Sequence, residues 1–193
     1  MARYLGPKTK LRQKFGLAAA GETRRRQNLR PKKRSDYGER LLQKQKLKFI
    51  YGILERQMQR YASEAIKSKG EAPVVLVQKL ELRLDNIVYR LGLGKTREQS
   101  RQLVSHGHIR VDDKKVDIPS YQVATGQVVS LKEKTAAKAR IKEEIKNNRK
   151  EGVAMAHLAY EPNGGKLLHL PKKEDLPQDV DIAQVLEFYN RIV

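Results

Sequence analysis

The sequence predicts an α+β fold: a helical domain is joined to a small domain of two helices plus a short twisted antiparallel sheet, and an extended basic N-terminal arm precedes both. Apolar residues recur at helical spacing in residues 36–106 and 179–193, they alternate with polar residues in 108–131, and residues 1–34 show neither period. The predicted segments are the arm at 1–34, the helical domain at 35–80 completed by a C-terminal helix at 179–193, the small mixed domain at 81–144, and a connector and C-terminal segment at 145–178.

Charge and composition limit the classes of partner. The 193 residues contain 41 Lys or Arg against 22 Asp or Glu, and the formal net charge is +19. A surplus of this size attracts polyanions, which means nucleic acid or an anionic membrane surface. No apolar run approaches the roughly 18 residues that cross a bilayer, and the first residues lack the apolar core of a signal peptide. We therefore expect a nucleic-acid partner, no membrane partner and a cytoplasmic location, which the absence of Cys also favours.

The arm contains 12 Lys or Arg and one acid, Glu22, so it carries more than half of the excess positive charge. Glycines and prolines between its basic runs disfavour a sustained helix or strand. A solvated disordered tail is one interpretation. We favour an extended arm that folds against phosphates, because unpaired like charge of this density is costly without a polyanion. The candidate contacts are Arg3, Lys8, Lys10, Arg12, Lys14, Arg24, Arg25, Arg26, Arg30, Lys32, Lys33 and Arg34.

The helical domain is predicted to begin at Asp36, because Glu39 follows it at the spacing of a capping pair. After Gly52, apolar residues at helical spacing form one stripe, so Met58 is a core residue and not a cofactor ligand. Gly and Pro within residues 69–73 predict a boundary. The stripe comprises Leu54, Met58, Tyr61, Ala62 and Ala65.

The small domain is predicted to open with one amphipathic helix that Gly92 and Gly94 end. Thr96 begins the second helix, with Gln99 at the reciprocal position of a capping box, and Gly107 closes it. Alternating apolar residues after this glycine predict short strands joined by a turn at 112–115. The core face of the first helix comprises Leu80, Leu84, Ile87, Val88 and Leu91, and the strands are predicted at Ile109–Val111, Val116–Ile118, Val123 and Val128–Leu131.

The basic side chains of this small domain are expected to converge on one surface, which we call the platform. Arg83 and Arg90 are placed on the flank of the first helix, and Arg97 and Arg101 share a face of the second because they are four residues apart. Lys95 is interpreted as a phosphate contact at the turn between the helices. The platform comprises Arg83, Arg90, Lys95, Arg97, Arg101, His106, His108 and Arg110.

The C-terminal third is less suited to phosphate. Residues 132–150 are a mixture rich in Ala, Lys and Glu, which favours an exposed helix or connector. Residues 151–193 contain seven acids against four bases. Apolar residues at helical spacing predict a last helix that packs onto the first helical block or onto another protein, and they are Ile182, Val185, Leu186, Tyr189 and Ile192.

Two short motifs are similar to parts of enzymes. Gly92–Thr96 looks like the end of a phosphate-binding loop, but Tyr89 stands where that loop needs glycine, and an amphipathic helix precedes it where the loop needs a strand. Leu82–Asp85 is similar to the segment around the catalytic aspartate of pseudouridine synthases. Here Asp85 is predicted within a helix, as a surface acid beside Arg83 or as an intrahelical partner. Because the four histidines also lack ligand spacing, we predict no catalytic residue, no metal and no cofactor.

A family resemblance emerges from longer stretches of the chain. The segment from Leu82 to Leu131 closely resembles the RNA-binding domain of ribosomal protein S-four, through Arg83-Leu84-Asp85-Asn86, Arg101-Gln102-Leu103-Val104-Ser105-His106-Gly107-His108 and Ser120-Tyr121-Gln122-Val123. The ends extend the similarity, through Ala2-Arg3-Tyr4, Ser35-Asp36-Tyr37-Gly38 and Glu174-Asp175-Leu176-Pro177. The chain is thus identified as a member of the S-four family of bacterial small-subunit ribosomal proteins.

The resemblance implies a structural constituent of the small subunit that binds the 5′ domain of 16S rRNA, nucleates assembly and contributes to decoding accuracy. It implies ribosomal proteins S-five and S-three as neighbours, and mRNA as a further contact where the message enters the ribosome. Residues 11–34 lack the cysteines that bind zinc in some members. The alternative is an RNA-modifying enzyme or a ribosome-rescue factor with the same RNA-binding domain. No catalytic module is recognisable, and a rescue factor is not expected to share the family-like ends, so we expect no small-molecule substrate.

Overall fold

A computed structural model of the chain describes residues 6, 8–17, 35–151, 155–172 and 179–190. Within these ranges the helices are α1 (Lys8–Phe15), α2 (Asp36–Tyr51), α3 (Glu55–Ile66), α4 (Ala72–Glu81), α5 (Leu84–Arg90), α6 (Arg97–Ser105), α7 (Glu133–Ala136), α8 (Ala139–Glu151) and α9 (Ile182–Asn190). The strands are β1 (Ile109–Val111), β2 (Lys114–Lys115), β3 (Val128–Leu131), β4 (Leu158–Glu161) and β5 (Gly164–Leu167). The predicted α+β class is confirmed.

The chain divides into two compact units. Unit 1 comprises Met1–Lys67 and Pro177–Val193, and unit 2 comprises Ser68–Leu176. The units are divided after Lys67, whereas the predicted helical domain extends to residue 80, so α4 belongs to the unit that contains the sheet. The predicted segment boundaries stay a prediction.

Unit 1 is built from helices of both ends of the chain. The last helix, α9, packs against α2 and α3, which is the first of the two arrangements expected for it. Met58, Tyr61, Ala62 and Ala65 are buried as predicted. Leu54 is instead 47% exposed, because it is the extended residue that precedes α3 and not part of its apolar face.

The beginning of α2 corrects the predicted cap by one residue. Ser35 is the capping residue, with an extended backbone and a hydroxyl that accepts a hydrogen bond from the Gly38 amide at 3.3 Å. Asp36 is the first helical residue and lies in the first turn together with Glu39. Both carboxylates are therefore placed to interact favourably with the positive end of the helix dipole.

The first helix predicted for the small domain is two helices in the structure. Its first part, α4, ends at Glu81, and Arg83 has φ −62° and ψ 136°, so the chain is extended before α5 begins. Arg83 forms an isolated antiparallel bridge with Gln122, and the Leu84 amide donates to the Tyr121 carbonyl at 2.8 Å. The break is thus made by pairing with a distant loop. The prediction of one continuous helix is wrong.

The second predicted helix is confirmed as α6. The Thr96 hydroxyl accepts a hydrogen bond from the backbone amide of Gln99 at 3.2 Å, as a capping residue should. The side chain of Gln99 accepts from the amide of Lys95, one residue before the position expected in a capping box. Gly107 follows the helix with φ +70°, a left-handed conformation that glycine adopts without steric cost.

Five antiparallel strands form one sheet in the order β2-β1-β3-β5-β4. The turn between the first two strands consists of Asp112 and Asp113, both with positive φ, and the return strand is Lys114–Lys115. The predicted return strand at 116–118 is therefore wrong, because the turn uses two residues and not four. Val123 is buried beside the bridge at Gln122 but lies in no strand.

The hairpin of β4 and β5 was not predicted, because its residues were assigned to the connector. It adds two strands to the edge of β3, with Val129 opposite Gly165. The core of unit 2 lies between this sheet and the helices, and it comprises Leu84, Ile87, Val88, Leu91, Leu93, Val104, Ile109, Val111, Val123, Val129, Leu131, Ala136, Ile145, Leu158 and Leu167.

Candidate nucleic-acid interface

The platform residues differ strongly in exposure. Lys95 and His106 are exposed, and Arg90, Arg97, Arg101, His108 and Arg110 are half-buried. Arg83 is only 1% exposed. The structure therefore divides the predicted contacts into cations that solvent reaches and one cation that is part of the core.

Arg83 and Asp85 form a buried ion pair at the start of α5. The guanidinium donates from Nε to Oδ1 at 3.0 Å and from Nη2 to Oδ2 at 2.7 Å. Asp85 is 5% exposed, so the prediction of a surface acid is wrong. Arg83 is corrected to a structural role, because a phosphate could reach it only after this bidentate pair had opened.

A second buried carboxylate, Glu81, organises the neighbouring basic side chains. It accepts two hydrogen bonds from Arg90, at 2.8 and 3.1 Å, and one from the side-chain nitrogen Nδ2 of Asn86 at 2.6 Å. The amide oxygen of Asn86 in turn accepts from Nε of Arg97 at 2.9 Å. A continuous chain of hydrogen bonds thus joins α4, α5 and α6 and fixes where two arginines of the platform lie.

Arg97 and Arg101 stand on one face of α6, as predicted. The guanidinium of Arg97 lies 4.6 Å from the ring centroid of Tyr89, a distance that favours a cation–π interaction. Nε of Arg101 lies 3.9 Å from Oδ2 of Asp85, and the Arg101 side chain is 24% exposed. Each arginine is therefore held from behind by buried groups while part of its side chain remains open to solvent.

The remaining platform residues lie beside β1. The rings of His106 and His108 are 6.2 Å apart, and Nδ1 of His108 is 3.2 Å from the Thr135 hydroxyl of α7. Arg110 pairs with the exposed Glu133 at 3.3 Å. Because this pair is exposed, it adds little to stability and can be exchanged for a phosphate at small cost.

The arm is described only in part. Lys8, Lys10, Arg12 and Lys14 lie on α1, so the prediction of a fully extended arm is wrong for this stretch. Phe15 anchors the helix, since it is buried and its ring lies 5.5 Å from that of Phe49 on α2. The other predicted arm contacts lie outside the described residues, and they are Arg3, Arg24, Arg25, Arg26, Arg30, Lys32, Lys33 and Arg34.

Three organising residues were missed from the sequence, namely Glu81, Asn86 and Tyr89. The sequence carried no clear signal for them, because Asp85 and Asn86 fall between the positions of the apolar stripe, where a polar residue is ordinarily exposed. Only the structure shows that they are buried and hydrogen-bonded, as buried polar side chains must be.

In the part of the chain that the structure describes, no group of three or more His, Cys, Asp or Glu could hold a metal ion. Across the same ranges, no helix has both the length and the apolar character needed to cross a membrane.

Comparison with known families assigns both parts of the chain. A family model described as "Ribosomal protein S4/S9 N-terminal domain" matches residues 3–81, and one described as "S4 domain" matches residues 82–129. The second match contains all eight platform residues.

Full-length relatives agree with these matches. The small ribosomal subunit protein uS4B of Clostridium acetobutylicum is 42% identical and uS4 of Latilactobacillus sakei is 43% identical, each over 99% of this chain and the whole of the relative. The uS4 protein of Aquifex aeolicus is 40% identical over the full length of both chains. These names denote ribosomal proteins and not enzymes. The chain therefore belongs to the uS4 family of small ribosomal subunit proteins.

Proposed function

We propose that this chain is a structural constituent of the small ribosomal subunit that binds the 5′ domain of 16S rRNA and thereby nucleates assembly. The observation that carries the proposal is the set of partly exposed arginines on α6, Arg97 and Arg101, held in place by buried Asn86 and Asp85 within the matched S4 domain. Because these two arginine side chains are already held in position, they lose less conformational entropy when phosphate binds.

The proposed mechanism is the neutralisation of phosphates where RNA helices meet. Arg97, Arg101 and Lys95 lie on or directly before α6 and supply cations to one RNA surface. Binding releases counterions from the RNA and lowers the repulsion between helices that must approach one another. Paired RNA is recognised mainly through its shape, backbone and 2′-hydroxyls, so basic side chains provide most of the contacts.

The finer family roles are part of the same proposal. The arm contacts, from Arg3 to Arg34, would extend the RNA surface beyond the platform. Contacts with S-five and S-three, contact with mRNA where it enters, a contribution to decoding accuracy and location in the cytoplasmic ribosome are supported by membership of the family. Each is a separate expectation with its own test.

The test is binding of the purified chain to the 5′ domain of 16S rRNA and to a scrambled RNA of equal length, across a salt series. We expect strong preference for the native domain, with an affinity whose logarithm falls by roughly 0.7 to 0.9 per neutralised phosphate for each tenfold rise in salt. Equal affinity for both RNAs would overturn specific recognition and reduce the function to general RNA binding.

A further inference from the structure

The helix α8 is anchored to the core of unit 2 along one face. Ile145 is buried, and the Asn148 side chain donates to the Gly92 carbonyl at 3.1 Å. Arg149 donates to the carbonyl oxygens of Leu91, Glu161 and Gly164 at 3.0, 2.7 and 3.0 Å. These bonds fix both the position and the rotation of the helix.

The fixed rotation presents three lysines to solvent. Lys142, Lys146 and Lys150 follow one another at intervals of four residues, so they share a face, with about 6 Å of helix rise between neighbours. All three side chains are exposed. Of the residues that the structure describes, no acid forms an ion pair with any of them. We call these three residues the lysine stripe.

The opposite flank of α8 is neutralised. There Arg140 pairs with Glu144 at 2.9 Å, one helical turn later. Like charges four residues apart destabilise a helix by a few tenths of a kcal/mol per pair, and the lysine stripe contains two such pairs. A polyanion along the stripe would replace this repulsion with attraction.

We infer that the lysine stripe is a second RNA contact, separate from the platform, which binds consecutive phosphates of an RNA backbone. The inference rests on the proposed function. Its link to the platform is the bond from Asn148 to Gly92, because Gly92 lies three residues before Lys95 in the same turn. RNA is favoured over an acidic protein because phosphates recur regularly along a backbone, as the lysines recur along the helix.

The experiment compares K142Q/K146Q/K150Q with the unchanged chain in the salt series on the 16S 5′ domain. Glutamine keeps the helix propensity of lysine, so the fold is retained. The control variant K67Q/K69Q/K166Q removes the same charge from three exposed lysines outside the stripe and the platform. Thermal melts followed by circular dichroism verify that both variants remain folded.

We expect the stripe variant to lower the salt slope by about 2 to 3, and to weaken binding about tenfold to a hundredfold near 0.1 M salt. We expect the control variant to change the salt slope and the affinity by no more than about a third as much. A stripe variant indistinguishable from the control would overturn the inference, even if the unchanged chain still prefers the native RNA. Loss of that preference in the unchanged chain would instead overturn the proposed function.

Discussion

The carboxylate of Glu55, at the first turn of α3, accepts a hydrogen bond from the Tyr189 hydroxyl of α9 at 2.7 Å. The same carboxylate accepts from Lys44 at 3.0 Å and from Lys48 at 2.6 Å, so it joins three helices of unit 1. Burial alone would raise the pKa of Glu55, but the hydrogen bonds from Lys48, Tyr189 and Lys44 outweigh it and lower the pKa from 4.5 to about 2.

The first prediction concerns pH. Because folding depresses the pKa of Glu55, its stabilising contribution is full above pH 4.5 and is lost as pH falls towards 2. We expect the unchanged chain and Glu55→Gln to differ less in free energy of unfolding as pH falls from 4.5 to about 2. Urea unfolding at a series of pH values measures it. The Glu55 side chain is 45% exposed, so solvent screening keeps the effect modest, and parallel pH profiles would contradict the assignment.

The second prediction concerns the phenol. Burial, together with the bond to Glu55, raises the pKa of Tyr189, so the hydroxyl keeps its proton and remains a donor at neutral pH. We expect Tyr189→Phe to lower the free energy of unfolding by about 1 kcal/mol, as loss of one hydrogen bond to a partly exposed charge does. The matched control is Tyr37→Phe, because residue 37 is 58% exposed and this change should alter stability very little. Equal effects would mean that the bond contributes nothing.

The third prediction separates a buried ion pair from an exposed one. Asp85→Asn leaves the Arg83 charge buried without its carboxylate, and we expect a loss of about 3 kcal/mol in urea unfolding. Glu144→Gln opens the exposed pair with Arg140, whose side chain is 88% exposed, and should cost no more than about 0.5 kcal/mol. Similar losses for the two variants would refute the structural role given to Asp85.

The fourth prediction compares two glycines with positive φ. Gly126 has φ +90° and open space around its Cα, so Gly126→Ala should cost about 1 kcal/mol through backbone strain alone. Gly92 has φ +73°, and an added Cβ would lie 2.9 Å from Cγ of Arg149. We expect Gly92→Ala to cost clearly more, because it also displaces the residue that anchors α8. Thermal melting of the two variants in parallel decides this.

The fifth prediction tests a single phosphate contact. Lys95 is exposed in the turn before α6, and Lys95→Gln should lower the salt slope of RNA binding by about 0.7 to 0.9 without changing thermal stability. Lys69→Gln, at an exposed position outside the platform, serves as the control. An unchanged slope for Lys95→Gln would remove this residue from the platform.

Local signals predicted the parts of the fold that depend on local physics. Thr96 caps α6 because its hydroxyl satisfies an amide three residues later, and Ile109 and Val111 alternate because one face of β1 is buried. Met58, Tyr61, Ala62 and Ala65 are buried because helical periodicity places them on one face of α3. These features need no knowledge of distant residues.

Long-range pairing explains the errors. The stripe from Leu80 to Leu91 keeps its helical period across the break at Arg83, so periodicity conceals a turn that pairing with Gln122 imposes. The hairpin of β4 and β5 contains Gly164 and Gly165, and glycine disfavours strands. An added Cβ would overlap the Val129 carbonyl at Gly164 and the Ala159 carbonyl at Gly165, so only glycine fits at these two positions. These contacts come from other strands of the sheet, so no local sequence pattern could have revealed them.

The same limit applies to the candidate site. Sequence reasoning placed Arg83 and Arg97 together as cations for phosphate, but only contacts in three dimensions distinguish the buried partner of Asp85 from the side chain that rests on Tyr89. The basic residues themselves can be read from the sequence. Which of them are buried in ion pairs and which are open to solvent cannot be read from it.

The construction of unit 1 from both ends of the chain sets an order for folding during synthesis. Residues 68–176 leave the translating ribosome as one continuous block, so unit 2 can close its sheet as soon as β5 has been made. The core formed by α2 and α3 must wait for α9, which is made after unit 2. The nascent chain therefore exposes the apolar faces of its first long helices until α9 has been made, and exposed apolar surface in that interval favours aggregation.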